Sequence, residues 1–225
     1  MKVTLIGYTA VDSHVLRALE PEDLTVTDAD LLAEYAGRIC YRSFHKPNPA
    51  TRLTTDYLAN IIRQQHFSVL EHASATFLVE GVSRHLLGEL TRHRHGSFSV
   101  ESLRYCPPRH YAVHPTLAGD ADLVESLDEL WAIALEKYTQ AYERLTKRGL
   151  PRKAAREAAA QFLPMATATD LVISSNLANW RYVLKRRLDP AANQEIRKLA
   201  ALFLRELKRF APATFQDIAE PEDLR

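Results

Sequence analysis

The chain has 225 residues, of which 46% are hydrophobic, and a formal net charge of +1. That length predicts one domain, or one with a small appendage, with apolar content sufficient for a substantial core. The near-neutral charge excludes a protein that binds polyanions over its whole surface, and the two cysteines, Cys40 and Cys106, give neither a disulfide framework nor a zinc spacing.

Residues 2–8, KVTLIGY, are rich in β-branched side chains and predict a strand. Asp12-Ser13 can cap a short helix, and Asp28 or Asp30 the next, which runs to about Tyr41 with Leu31, Leu32, Tyr35 and Ile39 on its apolar side. KPNPAT is a loop, and Thr51–Gln65 an amphipathic helix. QHFSVLEH bridges to a strand in which Ala75, Phe77 and Val79 alternate with Thr76, Leu78 and Glu80. VSRHLLGELTRH places Val82, Leu86, Leu87 and Leu90 at helical spacing, with His85, Gly88 and Arg92 on one face; Gly96 and the following serines break this helix into a loop. PPRHYAVHP is turn-rich and extended. Residues 120–148 form a long helix stopped by Gly149 and Pro151, and Arg152–Phe162 is helical. LVISSN is a short strand or apolar segment, Leu177–Leu188 a helix, and Pro190 starts the last helix, to about Phe210. The predicted class is α+β: helices packed around a small mixed or antiparallel sheet in a single domain, residues 1–225. MKVTLIGYTA lacks a long apolar core, and no apolar run reaches the roughly 18 residues of a membrane span; a cytoplasmic protein without membrane attachment is expected.

One stretch concentrates chemistry. Arg92–Tyr105, RHRHGSFSVESLRY, holds Arg92, Arg94 and Arg104, two histidines and three serines, with Glu101 as its one acid. Arginine forks suit phosphate or carboxylate, and serine hydroxyls and loop amides add neutral donors to the same anion. Seven of the nine histidines lie between His66 and His114, but His66, His72, His85, His93 and His95 show no short spacing with acid or thiolate partners, so no metal site is expected. Cys106 has no assignable activating partner, and Ser102 without a base is a hydrogen-bond donor rather than a nucleophile. The basic run with Phe98 and Tyr105 interleaved also fits a nucleic-acid-binding module; the neutral total charge and the lack of a second basic stripe argue against it.

Arg92-His93-Arg94, then seven residues, then Ser102 and Arg104-Tyr105, resembles the signature of the flavin-dependent thymidylate synthases. The resemblance extends to His66, Ser68 and Glu71-His72 upstream, to Glu89 three residues before the signature, and to Leu163-Pro164, Thr169, Asn176, Arg187 and Glu195-Ile196 downstream, covering roughly residues 35–200. It implies a homotetramer with active sites at subunit interfaces. It also implies FAD as cofactor, NADPH as reductant, methylenetetrahydrofolate as carbon donor, and methylation of carbon 5 of a uracil nucleotide, dUMP to dTMP. Relatives in nucleoside-antibiotic pathways act on UMP, and that alternative stays open.

By the same resemblance, Ser68, Arg92, His93, Arg94 and Asn176 bind FAD, and the first three signature residues stabilise the charge of the reduced flavin. Glu89, Arg92, Val100, Glu101, Ser102, Leu103 and Arg104 hold the nucleotide. Arg187 sits by the uracil ring as the catalytic cation, and His66 faces flavin and folate. Two positions depart from the family pattern: Ala160 and Ala178 stand where arginines are expected, with Arg156 and Arg181 each about one turn away. Val100-Glu101 replaces a common polar-then-apolar pair.

Overall fold

The structure, a computed structural model, describes residues 1–12 and 26–224. Period-two burial organises its sheet. In β2 (Ser74–Ser83), Ala75, Phe77 and Val79 are buried while Thr76, Leu78 and Glu80 are only half so, as the alternation predicts. Strands β1 (Lys2–Tyr8), β3 (Ser97–Val100) and β4 (Ala168–Asn176) join it in the order β1-β2-β4-β3, with every pairing antiparallel. The sheet is therefore antiparallel rather than mixed. Between Val79 and Val82 the register of β2 on β4 shifts at a bulge. Gly81 takes φ +69° there, a conformation that disfavours a side chain, and its N–H donates to Asp170 Oδ1 at 2.9 Å.

Seven helices accompany the sheet among the described residues: α1 (Asp28–Tyr41), α2 (Thr54–Arg63), α3 (Arg84–Leu90), α4 (Ala121–Lys147), α5 (Arg152–Ala159), α6 (Leu177–Arg187) and α7 (Gln194–Phe210). Trp180 of α6 and Phe203 of α7 meet Phe77 with ring centroids 5.1 and 5.0 Å away, and the fully buried Trp180 donates from Nε1 to Ala75 O. Helices α4 and α5 pack on each other to one side, burying Ala134, Tyr138, Ala155 and Ala159 apart from the main core.

Several expectations are corrected. Ser97–Val100 is a strand, not a loop, because Phe98 and Val100 pack on the core while Ser97 and Ser99 stay exposed. Helix α1 is capped by Thr27, whose hydroxyl accepts from Asp30 N, and not by Asp28 or Asp30. Its buried face is Ala29, Asp30, Ala33, Glu34, Gly37 and Arg38, while Ile39 is exposed. The reason is tertiary: the Asp30 carboxylate accepts from Ala213 N, Thr214 N and Thr214 Oγ1, and Glu34 bridges Arg38 and Thr54. Helix α2 begins at Thr54, and Val82 belongs to β2 rather than to α3. Strand β4 extends well beyond LVISSN, and the segment after α5 is a 3-10 turn, Ala160–Phe162. Helix α7 begins at Gln194 rather than Pro190 because the Asn193 side chain accepts from Glu195 N. The helix expected after Asp12-Ser13 lies outside the described residues.

Candidate active site

Two capped junctions aim the functional side chains. At the first, Ser83 ends β2 and starts α3. Its hydroxyl accepts from Leu86 N and donates to Glu195 Oε2, while its N–H donates to Glu195 Oε1, tying α3 to the start of α7. At the second, Asn176 ends β4 and caps α6, its Oδ1 accepting from Asn179 N at 2.8 Å. Asn179 in turn donates to Ser175 Oγ, which donates to His95 O, holding the turn after α3 against the start of α6. That turn is tight. Gly96 N donates to His93 O, and a Cβ on Gly96 would come within 3.3 Å of the Phe98 ring.

Within the turn, Arg92 and Arg94 are exposed and His93 between them is buried. Arg187, at the end of α6, reaches back to it. Its Nε donates to His93 Nε2 at 2.9 Å, Nη1 donates to Glu89 Oε2 at 2.8 Å, and Nη2 donates to Glu89 O at 2.9 Å. Among the described residues, one N–H on each terminal nitrogen has no partner and can meet a ligand. His93 accepts at Nε2, so its proton sits on Nδ1. Burial, followed by the charges of Arg187, Arg186 and Arg92, pushes its pKa down to about 4. His93 is thus neutral at physiological pH, unlike the arginines on either side of it. The ring packs edge-on against Tyr182.

Two adjoining clefts open around this constellation. One, of about 990 Å³, is walled by Arg92, His93, Arg94, Tyr182 and the end of α6. The other, of about 680 Å³, shares those four residues and adds Glu71, His95, Asn176, Ala178 and Asn179. A third cleft, of about 400 Å³, lies elsewhere along α3, between Arg84 and Leu87, residues Val100 to Arg104, Glu157 and Ala160. The residues predicted to hold the nucleotide are therefore divided: Glu89, Arg92 and Arg187 stand with the arginine cleft, while Val100, Glu101, Ser102, Leu103 and Arg104 form the third. His66 and Ser68 are exposed on the turn after α2 and line none of the three.

Polar partners tune the third cleft. Arg104 pairs with Glu157 at 3.0 Å, an exposed ion pair that a phosphate can readily displace. Glu101 is turned onto Arg109 at 2.9 Å, which also binds Asp170, so its charge is compensated. Ala160 lines this cleft without supplying a cation. Arg156 does not line it; that guanidinium donates to Tyr105 O and lies over the Tyr142 ring. Arg181 is likewise engaged away from Ala178, by Asp217 and Thr214 O. Besides Arg104, a second cation lines the third cleft, Arg84, which no motif in the sequence marks. Its Nη2 donates to Glu101 O, while its buried Nε has no partner among the described residues and burial draws its pKa down. Tyr182 and Asn179 were also missed. With Arg186 they form a stripe at three- and four-residue spacing on α6, a signal open to a helical-face reading. Cys106 is a half-buried free thiol. Among the described residues, no three His, Cys, Asp or Glu side chains converge as a metal site, and no helix is long and apolar enough to cross a membrane.

A family model described as thymidylate synthase complementing protein matches residues 24–213. A "Probable flavin-dependent thymidylate synthase" of Mycobacterium phage L5 is 46% identical over 241 residues, covering 98% of each chain. The chain belongs to the flavin-dependent thymidylate synthase family. A flavin-dependent thymidylate synthase of Mycobacterium tuberculosis is 43% identical over 212 residues, covering 88% of this chain and 85% of that one. The fold is shared with the UMP/dUMP methylase PolB from Streptomyces cacaoi, solved with 5-Br dUMP. That chain has a TM-score of 0.70 and 24% identity, over 96% of this chain and 93% of its own. As a member of the flavin-dependent thymidylate synthase family, the protein is an enzyme, and the signature turn at Arg92–Arg94 lines two of its three clefts.

Proposed function

We propose that this protein, acting as one catalytic domain, methylates carbon 5 of dUMP, with FAD as cofactor, methylenetetrahydrofolate as carbon donor and NADPH as reductant. The observation that carries the reading is the Arg187–His93–Glu89 constellation beside the guanidinium groups of Arg92 and Arg94, which have no partner among the described residues. These cations, the half-exposed Tyr182 ring and Asn176 fit a cofactor with an aromatic ring system and phosphates. Bound there, FAD supplies hydride chemistry. Arg187 uses its two free N–H groups to stabilise negative charge on the uracil ring. Ser102, Arg104 and the amides of Val100 to Leu103 hold the nucleotide phosphate. Asn176 touches FAD from within the cleft, and Ser68 and His66, which line none of the three clefts of one chain, reach flavin and folate across the subunit interface. The protein works in the cytoplasm, on small molecules and not on nucleic acid.

Purified protein is expected to be yellow or to take up added FAD, read as flavin absorbance, and to methylate dUMP in preference to UMP. A colourless protein that binds no FAD overturns the reading. UMP is the second reading, favoured by Ala160 and Ala178 lining clefts where the family pattern has arginine. Competition between the two nucleotides separates them.

The homotetramer implied by the resemblance belongs to the same proposal. The cleft of residues Val100 to Arg104 and the cleft that Arg187 lines share no residue, so one nucleotide is held most simply by two chains. Leu130 and Ile133 also leave an exposed apolar strip on α4. Light scattering is expected to give a tetramer. At a nucleotide concentration well below the raised KM of Arg104→Ala, mixing Arg104→Ala with Arg187→Ala chains is expected to give more activity than either variant alone, because mixed tetramers contain some intact sites. A monomeric mass, or no restoration after verified subunit exchange, rejects shared sites.

A further inference from the structure

Helix α6 ends in three consecutive cations, Lys185, Arg186 and Arg187. A helix C-terminus carries roughly half a negative charge, which one cation is enough to offset. Arg187 turns inward onto Glu89 and His93, and its charge is compensated there. Lys185 and Arg186 remain exposed on the wall of the cleft of about 990 Å³, whose other cations are Arg92 and Arg94. The one acid on that wall is Asp189, whose carboxylate accepts from Ala191 N. Among the described residues, the side chains of Arg92, Arg94 and Lys185 have no hydrogen-bond or ion-pair partner. Arg186 is held over the Tyr182 ring, 5.7 Å from its centroid, which orders the guanidinium without neutralising it. Four cations against one carboxylate in a concave wall focus positive potential and concentrate anions.

The proposed function assigns Arg92 and Arg94 to the flavin and Arg187 to the uracil ring, leaving Lys185 and Arg186 without a ligand. We propose that Lys185 and Arg186 form a second anion subsite, which holds a multiply charged end of a co-substrate away from the reacting atoms. This rests on that function. The chemistry is clustered negative charge, met by a point-like ammonium and a planar fork side by side. Two co-substrates carry such an end: a reduced folate with a chain of γ-linked glutamates, and NADPH through its 2′-phosphate.

The test compares the parent with the double variant Lys185→Gln/Arg186→Gln, both loaded with flavin. Michaelis constants are measured for monoglutamate and triglutamate methylenetetrahydrofolate, and for NADPH and NADH. The parent is expected to favour the more highly charged form of one pair by about tenfold, and the variant to lose that preference through KM rather than kcat. Loss confined to the folate pair identifies the glutamate tail; loss confined to the nicotinamide pair identifies the 2′-phosphate. A parent without either preference, or a variant that keeps them, overturns the subsite. Calorimetric titration with tri-γ-glutamate and with 2′-phospho-ADP-ribose decides the case if the parent proves inactive. An anion that binds the parent about tenfold tighter than the variant at low salt, and less tightly at high salt, upholds the subsite although the proposed function has failed. Equal affinities for parent and variant overturn it.

Discussion

Arg187→Ala is expected to lower turnover by about a hundredfold or more while FAD stays bound. The guanidinium is fixed from three sides, by His93 Nε2, Glu89 Oε2 and Glu89 O, so its free N–H groups are oriented before any ligand arrives. Preorganised donors of this kind act where charge develops during the reaction, and their loss falls on kcat. Arg104 differs in kind. It is exposed, pairs loosely with Glu157, and by the proposed function meets a phosphate whose charge is the same in ground and transition states. Arg104→Ala is therefore expected to raise KM for the nucleotide with a smaller change in kcat. Arg187→Ala also leaves Glu89 without its cation, so Arg187→Lys serves as a companion: it keeps the charge, loses the fork, and is expected to recover folding but not full turnover. Steady-state kinetics on dUMP and UMP, with flavin absorbance and thermal melting as controls, make the comparison. If Arg187→Ala turns over like the parent, Arg187 is not the catalytic cation.

His93→Phe is expected to lower kcat by about tenfold, the worth of one positioning hydrogen bond of about 1–1.5 kcal/mol. Phenylalanine preserves a ring beside Tyr182 but removes the acceptor for Arg187 Nε. His93→Gln restores a carbonyl acceptor and is expected to recover part of the loss, an outcome that a purely space-filling role does not produce. The pH dependence of stability gives a second readout. The unfolded chain takes up this proton near 6.5 and the folded protein only near 4. The stability supplied by neutral His93 is therefore complete above pH 6.5 and is lost as the pH falls towards 4. The parent's melting temperature is expected to drop more steeply across that window than that of His93→Phe. Parallel curves would mean that His93 titrates like a solvated histidine.

Local patterns carried much of this protein into view. The alternation of Ala75, Phe77 and Val79 marks a buried strand face because successive side chains on a strand point to opposite sides, and this holds whatever packs against them. Gly149 and Pro151 close α4 for equally local reasons. The spacing of Arg92, Ser102 and Arg104 is a covalent property of the chain, and with it the family was legible before any fold. Other features depend on residues distant in sequence. Asp30 and Arg38 are buried on α1 because their partners arrive from Thr214 and Thr51, so the apolar stripe of Leu31, Leu32, Tyr35 and Ile39 misidentifies the inner face. Ser97–Val100 becomes a strand only because β4 offers it an edge. The sequence leaves the charge of His93 open between two arginines; burial, followed by the charges of Arg187, Arg186 and Arg92, keeps it neutral, and Arg187, 94 residues away, donates to its ring. Protonation and orientation are set by neighbours in space, and only the tertiary structure supplies those neighbours.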